Sequence, residues 1–128
     1  MANNLNDRRN ETNDLYPLDL NFCKQCSNSQ LSVAVPAQKM FNNYVYLSST
    51  SKQFRDHFDS FAKEIKNHLS LDNSSVVVDI GSNDGIFLGP LKEKGIKAIG
   101  VEPAKNIAKI ANSNGLTTLP EYFTKKTV

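Results

Sequence analysis

The chain has no surplus of charge of either sign: 15 basic residues face 13 acidic ones across 128 residues, for a net charge of +2. Its basic pairs, Arg8-Arg9 and Lys125-Lys126, stand isolated. That is not the stripe that grips nucleic acid or an anionic membrane, and neither partner is expected. No run of 18 apolar residues and no charged-then-apolar leader is found, which argues against a membrane span and a signal peptide. Cysteine is scarce. Cys23 and Cys26 lie too close together to frame a secreted disulfide domain, so a cytoplasmic location is expected. Histidine is scarce as well, and His57 and His68 sit at a spacing that cannot chelate one metal together. The length suffices for one domain with a real core.

What is present begins with Val76-Val77-Val78-Asp79-Ile80-Gly81-Ser82-Asn83-Asp84-Gly85, followed by Gly100-Val101-Glu102-Pro103. The β-branched run from Ser75 to Ile80 predicts a parallel strand buried on both faces. Gly81 and Gly85 let the backbone turn sharply and approach a ligand. Glu102, at the tip of a second strand, is placed to accept hydrogen bonds from ribose hydroxyls. The combination points to an adenosine-type cofactor. A pyrophosphate would need a second glycine in the loop, where this chain has Asn83. Asp79 and Asp84 suit a ligand carrying a sulfonium and an ammonium better than one carrying phosphates. The pattern Asp-x-Gly-x-x-x-Gly with a later strand-end Glu looks like the S-adenosylmethionine site of class I methyltransferases. A plain βαβ turn and a nicotinamide site are the alternatives.

Around this unit the chain divides. Met1 to Asp14 is polar, Asn-rich and aperiodic, and reads as an arm. From Tyr16 to Val35, apolar residues alternate on either side of Cys23-x-x-Cys26, predicting two short strands around a knuckle. Pro36 to Tyr46 reads as a connector. Phe54, Phe58, Phe61, Ile65 and Leu69 form one stripe of a helix over roughly Ser51–Leu69, with Thr50 and Gln53 as its capping box. A crossover helix is expected over Gly85–Lys94, shortened or kinked by Pro90, then a strand over Ile96–Val101. Another helix should open at Pro103, burying Ile107, Ile110 and Ala111, and Leu116–Leu119 offers a third strand. Three parallel strands fall short of a complete doubly wound sheet, so the chain is expected to be a fragment truncated at its carboxyl end.

Two passages stay open on residue chemistry alone. Cys23-Lys24-Gln25-Cys26 is half of a tetrahedral zinc site, a redox pair, or two unrelated small core residues. Tyr44-Val45-Tyr46-Leu47-Ser48-Ser49-Thr50-Ser51 offers phenols and hydroxyls for a polyhydroxylated substrate or the methionine end of a cofactor, or is simply a serine-rich helix start. His57 reads as a half-buried histidine at the edge of the apolar stripe.

Taken in order, Tyr16-Pro17-Leu18-Asp19-Leu20, Cys23-x-x-Cys26, Tyr44-x-Tyr46-x-Ser48-Ser49-x-Ser51, Asp79-Ile80-Gly81-Ser82-Asn83-Asp84-Gly85 and Val101-Glu102-Pro103-Ala104-x-Asn106 resemble the sugar C-methyltransferase family. The resemblance covers nearly the whole chain. It implies part of a small zinc-binding domain with its connector over residues 1–49. Over 50–128 it implies the amino-terminal part of a class I, Rossmann-like α/β methyltransferase domain. It further implies methylation of a nucleotide-linked keto-deoxysugar through an enolate. Another small-molecule acceptor, or a cofactor-binding piece without activity of its own, is the alternative.

The resemblance assigns roles residue by residue. Gly81, Ser82, Asn83, Asp84 and Gly85, entered through Asp79, would wrap the methionine part of S-adenosylmethionine. Glu102 would hold the ribose, with Ala104 and Asn106 flanking the adenine. Tyr46 would stand near the reacting centre as the catalytic residue. Cys23 and Cys26 match the second of two zinc-binding pairs, the first of which would lie upstream of Met1. The family's general-base histidine would lie beyond Val128, so the 128 residues alone are expected to be inactive.

Overall fold

A computed structural model describes residues 14–127, which form two compact units dividing between Met40 and Phe41. The polar arm expected over Met1–Asp14 lies, apart from Asp14, outside the described residues. The division falls at 40/41 and not at the expected 49/50, because residues 44–49 are hydrogen-bonded into the second unit.

The first unit holds an antiparallel hairpin, β1 (Leu20–Phe22) and β2 (Ser29–Leu31), with Leu20 opposite Leu31 and Phe22 opposite Ser29. The turn between them is the cysteine knuckle. Cys23 closes it by donating its N–H to the Asn28 carbonyl (2.8 Å) and accepting from the Ser27 N–H (2.9 Å). Ser27 takes φ = +57°. Both strands are shorter than the alternation suggests, ending before Val33 and Val35.

In the second unit, three strands form a parallel sheet in sequential order: β3 (Val76–Ile80), β4 (Lys97–Val101) and β5 (Thr118–Leu119). Val76 pairs with Lys97 and Ile80 with Val101, so β3 and β4 end level with one another. A short helix, α1 (Ala37–Phe41), which belongs to the first unit up to Met40, occupies part of the predicted connector. A 3-10 turn at Ser48–Thr50 leads into α2 (Lys52–His68). Ser51, not Thr50, caps α2: its hydroxyl accepts from the Phe54 N–H, while the Thr50 hydroxyl is spent on the Leu47 carbonyl. The two crossover helices are α3 (Leu88–Glu93) and α4 (Lys105–Ser113). Pro90 falls in the first turn of α3, between the Gly89 N–H, which donates to the Gly85 carbonyl, and the Leu91 N–H, which donates to the Phe87 carbonyl, and its missing N–H leaves the intervening bond unmade. Pro103 precedes the Ala104 cap of α4 and stands just outside that helix.

Right-handed crossovers that step twice in one direction put both helices on one face of the sheet. The core lies on that face, where Ala62, Phe87, Leu91 and Ile96 are buried and Phe58, Ile65, Val77 and Ala98 pack against them. Two expectations change as a result. The opposite face of β3 is open, with Val76, Val78 and Ile80 53, 51 and 58% exposed, so the strand is not buried on both sides. The α2 stripe is also only partly covered: Phe58 and Ile65 reach the core and the Phe61 ring packs on Phe87 at 5.3 Å between centroids, whereas Phe54 and Leu69 remain exposed. Ile110 is exposed too; the inner face of α4 is Ile107, Ala108 and Ala111. No helix among the described residues is long and apolar enough to cross a membrane.

Candidate cofactor site

The loop after β3 is shaped by its own backbone. Gly81 and Gly85 take φ = +79° and +83°, and Asn83 takes +48°, a conformation that asparagine tolerates better than most residues. The loop is anchored to β4, with the Gly81 N–H donating to the Val101 carbonyl at 2.8 Å. Gly100 is what lets it settle there. A Cβ at that position would stand 2.3 Å from Ser82 Oγ and 2.8 Å from Leu88 Cδ1.

Glu102, just beyond β4, is 6% exposed, and both of its carboxylate oxygens hold backbone. Oε2 accepts from the Asn83 N–H (2.9 Å) and Oε1 from the Ala104 N–H (2.8 Å). One side chain thereby fixes the crown of the glycine loop and the cap of α4. Each oxygen retains a second lone pair for a further donor. Asp79 lies close enough to feel this charge. Burial first, and the Glu102 carboxylate second, push its acid above the ordinary carboxylate value of 3.8. Among the described residues no ion pair reaches Asp79, Asp84 or Glu102. The loop is therefore a concentration of uncompensated negative charge.

Asp84 is 5% exposed and split in function. Its Oδ2 accepts from the Ser49 hydroxyl (2.5 Å) and the Ser49 N–H (3.1 Å), whereas its Oδ1 is buried with no hydrogen-bond partner among the described residues. The Ser82 hydroxyl is likewise buried and unpartnered. Such atoms are costly to leave unsatisfied. An orphaned carboxylate oxygen in an acidic loop has the chemistry that an ammonium group satisfies. The donor set therefore fits a cationic, hydroxyl-bearing ligand such as S-adenosylmethionine.

Residues 44–49 cross this loop as a strap. The Asn83 amide holds it at two points, accepting from the Ser48 N–H (2.9 Å) and donating to the Tyr46 carbonyl (3.1 Å). Asn106 does the same at Tyr44, accepting from its N–H (3.2 Å) and donating to its carbonyl (2.7 Å). The Tyr46 side chain remains 40% exposed. The structure thus brings Asp79, the 81–85 loop, Glu102, Ala104, Asn106 and the backbone of Tyr46 together. It also turns the Asn83 and Asn106 side chains towards the strap. Ser49 and Gly100 were not among the expected site residues. The hydroxyl-rich Tyr44–Ser51 passage is the sequence signal for the first.

Cys23 and Cys26 are exposed, free thiols of the first unit. Backbone N–H groups of Cys26 and then Gln25, followed by the Cys26 side chain, hold the Cys23 thiol below its ordinary value of 9.0. That is how a knuckle prepares a thiolate. Two thiolates are half of a tetrahedral zinc set, and among the described residues no group of three or more His, Cys, Asp and Glu side chains could hold a metal ion.

No known family profile matches the chain. It is similar to the C-methyltransferase NovU of Streptomyces niveus, with 31% identity over 110 residues covering 86% of this chain. The chain spans about a quarter, 26%, of that relative's length. Among solved structures it resembles a SAM-dependent methyltransferase from Archaeoglobus fulgidus, at 24% identity and a TM-score of 0.37, over 48% of this chain and 28% of that one.

Proposed function

We propose that this chain carries the S-adenosylmethionine-binding part of a cytoplasmic C-methyltransferase acting on a nucleotide-linked keto-deoxysugar. The observation that carries the cofactor is the acidic loop itself: Asp79, Asp84 and Glu102 uncompensated around a glycine turn, with Asp84 Oδ1 orphaned. The NovU likeness supports carbon as the methylated atom, and the motif order of the sequence supports the sugar class. Bound there, S-adenosylmethionine supplies an electrophilic methyl group. The chain's residues do the rest. The Gly81–Gly85 backbone and Asp84 receive the methionine end. Glu102 takes the ribose hydroxyls on its free lone pairs, and Ala104 and Asn106 border the adenine. The Tyr46 phenol, carried on the exposed side of the strap, donates a hydrogen bond to the sugar ketone oxygen as negative charge develops there. Zinc at Cys23 and Cys26 would be structural and would need two ligands beyond those two thiolates.

The charge argument has a direct test. A cation next to Asp79 favours its ionised form, so binding should expel a proton where the free site holds one. Affinity should therefore rise with pH from the ordinary carboxylate range up through the raised Asp79 value and then level off. The unliganded chain runs the other way. Its folded Asp79 holds the proton more tightly than the unfolded chain does, so the Asp79 contribution to stability falls as pH rises through the same window. Calorimetry of S-adenosylmethionine binding in buffers of different ionisation enthalpy checks the first statement, and thermal unfolding of the unliganded chain across the same pH range checks the second. Proton release that vanishes in Asp79→Asn is the expected outcome, and proton-neutral binding in mildly acidic buffer would refute the Asp79 assignment.

A further inference from the structure

We infer that Asn83 and Asn106 are positioning residues that seat the strap, and through it Tyr46, over the glycine loop. This deepens the proposed function and rests on it for the role of Tyr46. Two side-chain amides grip the strap only by its backbone. Asn106 pairs with both polar backbone atoms of Tyr44, as a neighbouring strand would, and Asn83 bridges the Tyr46 carbonyl and the Ser48 N–H. Ser49 then closes on Asp84. Between the two grips, Tyr46 has its carbonyl fixed and its side chain left 40% exposed. A residue meant to meet a bulky acceptor needs that combination of fixed backbone and open ring.

The geometry also explains the unusual backbone of Asn83. At φ = +48° its side chain leaves the loop on the strap side while its N–H still points at Glu102 Oε2 at 2.9 Å. One residue therefore ties three things together: the cofactor loop, the acid at the tip of β4 and the segment bearing Tyr46. Glycine in its place would keep the backbone and release the strap.

The test is amide hydrogen exchange on the chain without cofactor, comparing wild type with Asn83→Gly and Asn106→Ala. Glycine accepts the positive φ, and the α2 amides around Ala62 report whether the fold is retained. In Asn83→Gly the Ser48 amide should exchange roughly fivefold faster or more, the worth of one hydrogen bond. Asn106→Ala should have the same effect at Tyr44, with Ala62 unchanged in both. In the full-length enzyme, assayed with a keto-sugar acceptor, Asn83→Gly should lower kcat while leaving KM for S-adenosylmethionine within about threefold. Undiminished Ser48 protection in Asn83→Gly would overturn the seating role. So would a loss of cofactor affinity with kcat unchanged, which would make Asn83 a cofactor ligand. Because exchange is read without any ligand, it fails or succeeds separately from the cofactor reading.

Discussion

Glu102→Ala should weaken S-adenosylmethionine binding by a factor on the order of a hundred. The substitution removes the ligand proposed for the ribose and also the acceptor for two backbone N–H groups, at Asn83 and Ala104. Leaving buried donors unpaired costs about 1–3 kcal/mol each, so the loop should open as well as lose its acid. Glu102→Gln separates the two effects. Its amide oxygen can still accept one N–H, whereas its NH2 group faces the other, so it should bind more tightly than alanine and less tightly than wild type. Titration calorimetry of the three proteins reads this order directly. Wild-type affinity in Glu102→Ala would remove the residue from the site.

The second large effect concerns stability and sets two glycines against each other. Gly85 has φ = +83°, and a Cβ there would sit 2.4 Å from Leu116 Cδ1 and 3.5 Å from Ala111 Cβ. Gly85→Ala puts alanine in a left-handed backbone and must push aside the tip of the Leu116 side chain beside the end of α4, together about 1–3 kcal/mol. The thermal midpoint should fall by roughly 10 °C. Gly89, four residues on and inside α3, has open space where its Cβ would be and an ordinary φ. Gly89→Ala should hold or raise the midpoint, because alanine is the better helix former by up to about 1 kcal/mol. Thermal unfolding followed by circular dichroism distinguishes the pair. Equal midpoints for the two variants would contradict the packing described at Gly85.

How much of this could be read from the chain follows the range of the interactions involved. The β3–loop–α3–β4 unit was legible because glycine, β-branched and acidic residues act locally, within a few positions of where they stand. The length of α2 was legible from its periodicity, but its burial was not. Periodicity tells that Phe54 and Phe61 share a face, not whether anything covers it. Val76, Val78 and Ile80 have the same lesson for β3. The cap moved from Thr50 to Ser51 because Thr50 found a competing acceptor in the Leu47 carbonyl. The strap was the least legible part of the site. Its bonds join residues 35 to 62 positions apart and engage backbone atoms, which any sequence supplies. Only the Ser49 hydroxyl and the asparagines at the far ends carry a signal, and the family motif assigns both asparagines to the cofactor.

The central claim is that this acidic loop receives a sulfonium cofactor and not a dinucleotide. Asn83 stands where a pyrophosphate would need glycine, and its side chain is committed to Tyr46 and Ser48. Titrating the chain with S-adenosylmethionine and, separately, with NAD puts that claim to its most direct test. Saturable binding of S-adenosylmethionine at about one per chain, with no heat from NAD, is the predicted result. Binding of NAD in its place, or of neither ligand, would contradict it.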